Sequence, residues 1–441
     1  MTGAGGAAEV PVLVIGAGPS GLFAAIELAR HGVQARVIER EPLQPLEARA
    51  TALQPGTLEI LARAGVLDRV LDESVQLRYA RVFDSTLNPV SESAFAGAGC
   101  PWEFQCSLPQ WRTEQILAER LADLGGSVER GVSAVSLSDH DDGVEVELAR
   151  ADGTPELVEA EWVIGAGGAH SVTRESMAGV LAGDTYPGTA LSADVVVSCA
   201  LPRDGSALIA SPAGYVLLAP LPGERWITFI GDLAEDEAER LTRDTSVAAL
   251  AASLERRTGS SVQLDEVGWA SVFRMHNRAV PNLADRRRFL LGDAGHLSSP
   301  VGGEGLNSGL QDGHNLGWKL ALELHGHARP GLLESFASSA VPPPSMFSRS
   351  PTASMAWPTV LSRPPGRAPA SPRHRLSSRR PWSARDPCLT SPMRAARLQA
   401  STRGRRTRFR IARGRTLPRP RHTGGHRALL AGLRRSGKRS T

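Results

Sequence analysis

The chain has 441 residues, of which 41% are hydrophobic and 22% charged, with a formal net charge of +4 at pH 7. That length predicts two domains rather than one small core, and no run approaches the roughly 20 apolar residues that span a bilayer. The overall charge hides two unlike parts: residues 338–441 hold 23 arginines, one lysine and one acid, a net of +23, whereas residues 1–337 carry 26 basic and 45 acidic groups, a net of −19.

In chain order, the opening MTGAGGAAEVPVLVIGAG lacks a basic region followed by an apolar core and a cleavage site, so it is not read as a signal peptide. Val10–Gly16 is a short apolar run, followed by GAGPSG, a helical pattern over Leu22–His31, and a stop at Gly32. ARVIER (35–40) predicts the next strand, which completes a βαβ unit. Residues 54–71 and 112–126 predict helices. Residues 144–166 alternate apolar and polar around Asp152-Gly153 and predict a hairpin. From about 180 to 275 the pattern is mostly β, with two strands in 214–232 around Pro222-Gly223. A short strand lies within 285–296, then a glycine-rich loop and a long helix through LNSGLQDGHNLGWKLALELHG. Four cysteines (Cys100, Cys106, Cys199, Cys388) have no metal-type spacing, and a reduced, cytoplasmic setting is expected.

GAGPSG places Gly16, Gly18 and Gly21 at G-x-G-x-x-G spacing, for a tight turn, close approach of a pyrophosphate, and helix–strand packing. The pyrophosphate belongs on the helix N-terminus, where free amides and the dipole favour an anion. Glu39 closes the second strand, where a carboxylate accepts hydrogen bonds from a ribose diol. This pattern alone leaves NAD and FAD both open. Residues 292–319, GDAGHLSSPVGGEGLNSGLQDGHNLGWK, spend much backbone freedom immediately before a helix. Such a loop admits a flat ligand against its amides, and the amides from Gly305 through Leu306 to Asn307 open a helix whose dipole complements negative charge on that ligand.

Residues 8–337 resemble the single-component flavin-dependent aromatic hydroxylases of the p-hydroxybenzoate hydroxylase-like group, nearest to actinobacterial aromatic polyketide and phenol-type hydroxylases. The 292–319 stretch matches through Gly292, Asp293, His296, Pro300, Gly303, Gly305, Asn307, Asp312, Asn315 and Trp318-Lys319. The resemblance implies an α/β fold: a Rossmann-type, GR2-like FAD-binding domain with an interleaved β-rich substrate domain. It divides the chain into FAD-binding parts at 8–75, 106–180 and 276–337, and substrate-domain parts at 76–105 and 181–275. It assigns Asp293 to the ribityl chain, Arg49 to the approach to the flavin, and Gln110 to contact with FAD. Arg40 touches the adenosine end or is an exposed charge beside Glu39. WVIGAGGAHSVTRESM (162–177) resembles the family's middle motif through Gly168, Ala169, Ser171 and Arg174, but Gly167 replaces the family's aspartate. That motif is tied to FAD and NADPH, so the departure bears on the pyridine nucleotide. Arg174 is alternatively a surface helix cation, and His296 is read as structural rather than catalytic.

The implied activity is hydroxylation of an electron-rich aromatic, a phenol or an aromatic polyketide of antibiotic biosynthesis, through a flavin C4a-hydroperoxide, with NADPH or NADH and O2 as co-substrates. The substrate would lie between the flavin and the β-rich segment 180–275, where Tyr215 and Leu217 share one parity of a strand and Trp226, Thr228 and Ile230 share one parity of the next; one face of each strand should look into the pocket, and core packing is the favoured alternative for each of these residues. No residue is marked as a catalytic base, and no metal site is expected. A flavin reductase or desaturase on the same fold is the alternative. The segment 338–441 has excess arginine, proline and serine with no apolar period, which fits a disordered basic arm or, as preferred, a frame-shifted translation of a GC-rich gene. In the latter case the chain is an inactive remnant or a truncated enzyme. Its few aromatics argue against physiological nucleic-acid binding, and the sequence leaves oligomeric state open.

Overall fold

The computed structural model describes residues 8–338, apart from 48–49, 97–98, 260–261 and 300–302. Arg49, Pro300 and the arginine-rich segment beyond Ser338 therefore lie outside the described residues. The apolar run Val12-Leu13-Val14-Ile15 has no polar break because both faces of its strand are covered. Val12 and Val14 pack under helices, and Leu13 and Ile15 pack against an antiparallel meander that contributes Val132, Val144, Val146 and Leu148.

Five parallel strands lie side by side in the spatial order Val128–Arg130, Arg36–Glu39, Ala8–Ile15, Pro155–Gly165, Arg288–Leu290. In chain order these are the third, second, first, fourth and fifth, so the winding reverses between Ala8–Ile15 and Pro155–Gly165. The carboxyl ends of those two strands are the point of reversal where sheets of this kind bind ligands. The meander Val132–Asp139, Val144–Arg150 runs antiparallel into the first half of Pro155–Gly165. The hairpin expected around Asp152-Gly153 is therefore present, and its second strand continues into the parallel sheet.

A second sheet collects strands from distant parts of the chain. Tyr79–Phe83 and Pro89–Ala94 join Ala182–Ser198, Gly205–Ser211, Gly214–Pro220, Arg225–Leu233, Gln263–Ala279 and His296–Leu297. One face packs Val216, Leu218, Trp226 and Ile230 under two helices, Glu235–Arg243 and Val247–Thr258. Those helices interrupt a region whose sequence was expected to be mostly β. They are clasped by Glu237, whose carboxylate takes hydrogen bonds from Arg257 (3.0 and 3.1 Å), Ser253 (2.5 Å) and Arg256 (2.5 Å). The helix expected over 54–71 is in fact two, Pro55–Ala64 and Leu67–Glu73, because Gly65 takes a left-handed conformation (φ 78°) and stops the first. Cys106 is a free, buried thiol.

Candidate functional site

The first glycine turn lies at the carboxyl end of Ala8–Ile15. Gly16 has φ +109°, and a Cβ there would overlap the backbone of Ala166 on the neighbouring strand. A Cβ at Gly21 would overlap the Gly16 carbonyl, so Gly21 sets the seating of the helix Pro19–Arg30 on its strand. Gly18 behaves differently. It caps that helix with ordinary extended dihedrals (φ −70°, ψ 177°), and a Cβ built on it meets no protein atom within 4 Å. Nothing in the protein demands glycine here, so the space beside Gly18 is a cradle that a methyl group would fill. Glu39 ends its strand with one carboxylate oxygen accepting from Ala17 N–H (2.9 Å) and the other from Glu41 N–H (3.0 Å). The acid is thereby fixed beside the turn.

The second glycine region follows Arg288–Leu290. Leu291, Gly292, Ala294, Gly295 and His296 are all buried, and Asp293 alone in that stretch is exposed. The helix Gly305–Leu324 then begins. Its first intrahelical bond is donated by Ser308 N–H to Glu304 O at 2.8 Å, so the amides of Gly305, Leu306 and Asn307 precede it. No side chain caps this end. Among the described residues a Cβ on Gly305 meets nothing within 4 Å, as at Gly18. Asn307 is 3% exposed. Its amide oxygen accepts from Gln54 N–H (2.8 Å), and its amide nitrogen donates to Ala52 O (2.8 Å) and Gly303 O (2.6 Å). Its side chain thus shapes the glycine loop, leaving its backbone amide to the helix end.

The two glycine regions are held together by direct helix contact. Gly309, Gly313 and Gly317 form a stripe four residues apart on the later helix, facing Pro19–Arg30. A Cβ at Gly313 would lie 2.7 Å from Ser20 O, one at Gly317 would lie 2.5 Å from Glu27 Cβ, and one at Gly309 would overlap Ser20 Oγ. Glu27 is buried in this interface, ion-paired to Arg30 (2.7 Å) and His314 (3.3 Å). The middle motif adds a third clamp. Arg174 is 8% exposed, which resolves its two readings against a surface cation. It donates to Ala169 O (2.7 Å) in its own motif and to Ala294 O (3.4 Å) beside Asp293. Gly167 has φ −76°, and a Cβ there would meet Ser171 only at ordinary contact distance (3.7 Å), so the pocket would admit the side chain it lacks.

Other expected residues are placed as follows. Gln110 opens the helix Gln110–Asp123 and donates to Glu114 Oε1 (2.8 Å); Gln44 reaches the same carboxyl (3.2 Å), and burial pushes the Glu114 carboxyl up. Arg40 is exposed and ion-paired to Glu41 (3.3 Å). On the second sheet the residues of each set share one face, as their parity implies, but the two sets face opposite ways. Tyr215 and Leu217 stand on the face away from the two helices, but their cross-strand partners are Gly231 and Phe229. Trp226, Thr228 and Ile230 pair with Pro220, Leu218 and Val216, and Trp226 and Ile230 pack in the helix-covered core. Both faces of that strand are apolar, so alternation could not choose between them.

The face away from the two helices carries a buried aromatic group that sequence reasoning did not find. Tyr215 stacks on Phe229 (5.9 Å), Phe229 meets Phe273 edge-on (5.9 Å), and Tyr186 and Met275 pack with them. Ser299 of the glycine loop reaches Met275 Sδ (3.8 Å). Burial, then the charges of Asp184 and Glu304, push the Tyr186 phenol up. The aromatic face therefore abuts the loop and helix terminus that follow Asp293. Tyr186 enters through a bulge: Thr185 pairs with His276 and Thr189 with Arg274, so three residues of one strand lie against one of the other. No sequence signal marked it.

Two glycine turns, a carboxylate at each, and an uncapped helix terminus opposite an aromatic face define a dinucleotide-binding flavoprotein. The donor set fits FAD: the unfilled space at Gly18 suits a pyrophosphate, Glu39 and the exposed Asp293 suit sugar and sugar-alcohol hydroxyls, and the Gly305–Asn307 amides suit a flavin edge. The chain belongs to the family described as FAD binding domain, which matches residues 9–345, and FAD is its cofactor. It is 38% identical over 343 residues to the 6-methylpretetramide 4-monooxygenase of Streptomyces rimosus, covering 75% of this chain and 59% of that one. It is 31% identical to a flavin-dependent monooxygenase of Mycobacteroides abscessus, over 75% of this chain and 71% of that protein. Among solved structures it resembles the flavin-dependent monooxygenase PieE in complex with FAD and substrate, with a TM-score of 0.67, 28% identity, and coverage of 75% of this chain and 60% of that one. The match thus spans about three fifths of the length of the first and third of these. Among the described residues no helix is long and apolar enough to cross a membrane, and no group of three or more metal-ligating side chains occurs.

Proposed function

We propose that this chain is an FAD-dependent monooxygenase that hydroxylates an electron-rich aromatic, a phenol or an aromatic polyketide, consuming NAD(P)H and O2. In balance, one oxygen atom enters the ring C–H bond as hydroxyl, the other leaves as water, and NAD(P)H supplies the two electrons. Bound FAD supplies the chemistry of accepting those electrons and activating oxygen. The protein's own share is binding, orientation and exclusion of water. Gly16, Gly18 and Gly21 admit the pyrophosphate, Glu39 and Arg40 meet the adenosine end, Gln110 contacts the cofactor, and Asp293 holds the ribityl chain; Arg49, outside the described residues, is assigned to the flavin by the resemblance alone. Pro300, Gly303, Gly305, Leu306 and Asn307 form the loop and helix end against the flavin.

The strand order about the point of reversal supports a Rossmann-type domain built from 8–75, 106–180 and 276–337. The second sheet, joining 76–105 to 181–275, supports a separate substrate domain. The observation that carries the reading is the aromatic face of Tyr186, Tyr215, Phe229, Phe273 and Met275 set against the glycine loop, because a flat ring held there lies beside the flavin position. Such placement converts encounter into near-attack geometry, and the dry apolar walls protect a reactive oxygen species from water. The relative from Streptomyces rimosus, named for a 4-monooxygenation of a pretetramide, supports the polyketide class. The test is oxygen uptake with NADPH or NADH against a panel of phenols and fused-ring aromatics. Substrate-stimulated uptake with a hydroxylated product is expected. Product formation without oxygen uptake would replace this reading with a reductase or desaturase.

A further inference from the structure

His296 follows Asp293 by three residues, is 3% exposed, and is not used in the account above. Its Nε2 lies 2.6 Å from Asp312 Oδ2, and that same oxygen accepts Gly292 N–H at 3.0 Å. One carboxylate oxygen therefore ties together the strand His296–Leu297, the turn that presents Asp293, and the helix Gly305–Leu324. The turn has little other freedom. Gly292 is left-handed (φ 53°), Gly295 N–H donates back to Gly292 O (2.8 Å), and Arg174 holds Ala294 O from the far side.

We propose that His296 is a positioning residue that sets Asp293 for its grip on the cofactor, acting through Asp312. The inference rests on FAD binding at the point of reversal. The charged groups that face the ring are Asp312, on the helix, and Asp293, on the turn. Arg174 reaches the turn from the helix Val172–Ser176. Arg278, on the strand paired with His296–Leu297, is turned to Thr185 Oγ1 (2.6 Å). Burial disfavours charge on the ring, but the bond and charge of Asp312, with the charge of Asp293, outweigh it and raise the His296 pKa above its ordinary 6.5. A raised pKa means the clasp is complete below the ordinary value and is lost as pH climbs through the raised one.

The experiment is titration of FAD into flavin-stripped full-length protein, followed by fluorescence quenching between about pH 6 and about pH 9. The wild-type dissociation constant is expected to rise about tenfold or more toward alkaline pH. His296→Gln, which keeps a donor toward Asp312 without the charge, should bind FAD more weakly at pH 6 and lose the slope. In an Asp293→Asn background, His296→Gln should weaken binding by no more than about twofold further, because both act on one contact. A His296→Gln protein with the wild-type slope, or effects of the two substitutions that multiply fully, would overturn the proposal. Should His296→Gln fail to fold, Asp312→Asn, which is isosteric, carries the same expectations. Wild-type protein that takes up no FAD would remove the cofactor reading itself, whereas normal uptake with an indifferent His296→Gln removes this inference alone.

Discussion

Gly18→Ala separates the demands of the fold from those of the ligand. At this position the backbone is ordinary for any residue, and an added Cβ meets no protein atom within 4 Å. Removing a glycine from the unfolded chain stabilises by about 0.4–1 kcal/mol where the dihedrals are compatible. Alanine is a poorer helix N-cap than glycine by an amount of the same order. The two nearly cancel, so thermal unfolding of the flavin-free protein should change by less than about 1 kcal/mol. Binding is another matter: the methyl group occupies the space where a pyrophosphate meets the turn. A rise of about 100-fold in the FAD dissociation constant, or about 2.7 kcal/mol, is expected. Gly21→Ala is the internal contrast, since its methyl would overlap the Gly16 carbonyl and the fold itself should fail. Melting of the stripped protein and fluorescence titration of FAD give the two numbers. A Gly18→Ala protein that melts normally and binds FAD as tightly as wild type would refute the argument that the ligand, and not the chain, requires this glycine.

Gly313→Ala places a Cβ 2.7 Å from Ser20 O and 3.0 Å from Ala24 N, both backbone atoms. Helix propensity favours alanine by about 1 kcal/mol, but overpacking costs about 1–3 kcal/mol, so the melting temperature should fall. Retained stability in a calorimetric scan would show that the helices can part freely. Arg174→Met leaves two buried carbonyls, Ala169 O and Ala294 O, short of a donor and should cost about 2–3 kcal/mol in urea unfolding; Arg174→Lys, lacking the planar fork, should recover only part of it. Glu237→Gln leaves Arg257, 1% exposed, without a counter-charge and should cost about 3–5 kcal/mol. Burial opposes ionisation of Glu237, but Arg257, Ser253 and Arg256 prevail and hold its pKa at about 2, below the ordinary 4.5. The stability it contributes is therefore complete above 4.5 and lost as pH falls toward 2, and Glu237→Gln should flatten that part of the stability curve.

What the sequence made legible, and what it did not, follows from the range of the interactions involved. The turn at Gly16, Gly18 and Gly21 is a local device: strand, turn, helix and Glu39 all fall within about one βαβ unit, so spacing alone exposes it. The loop after Asp293 was legible for the same reason, its glycines preceding a long helical period. The stripe Gly309, Gly313, Gly317 was present in the letters at a spacing of four, yet its meaning needed a partner, Ser20 and Glu27, almost 300 residues away. Arg174 could not be separated from a surface cation because its acceptors are backbone carbonyls, which have no sequence signature. Which face of Arg225–Leu233 carries Trp226 into the core could not be read from the letters, because that strand is apolar on both sides, one toward two helices and one toward the aromatic group. Alternation reports burial and not its direction. Tyr186 stayed hidden because a bulge, set by the pairing of Ala182–Ser198 with Gln263–Ala279, re-aims it. Motifs built within one unit are thus readable in order, whereas the aromatic face is assembled from four strands whose register only folding supplies. That asymmetry is why the chain's cofactor could be named from its residues, while the arrangement of Tyr186, Tyr215, Phe229 and Phe273, against which an aromatic ligand is proposed, had to come from the fold.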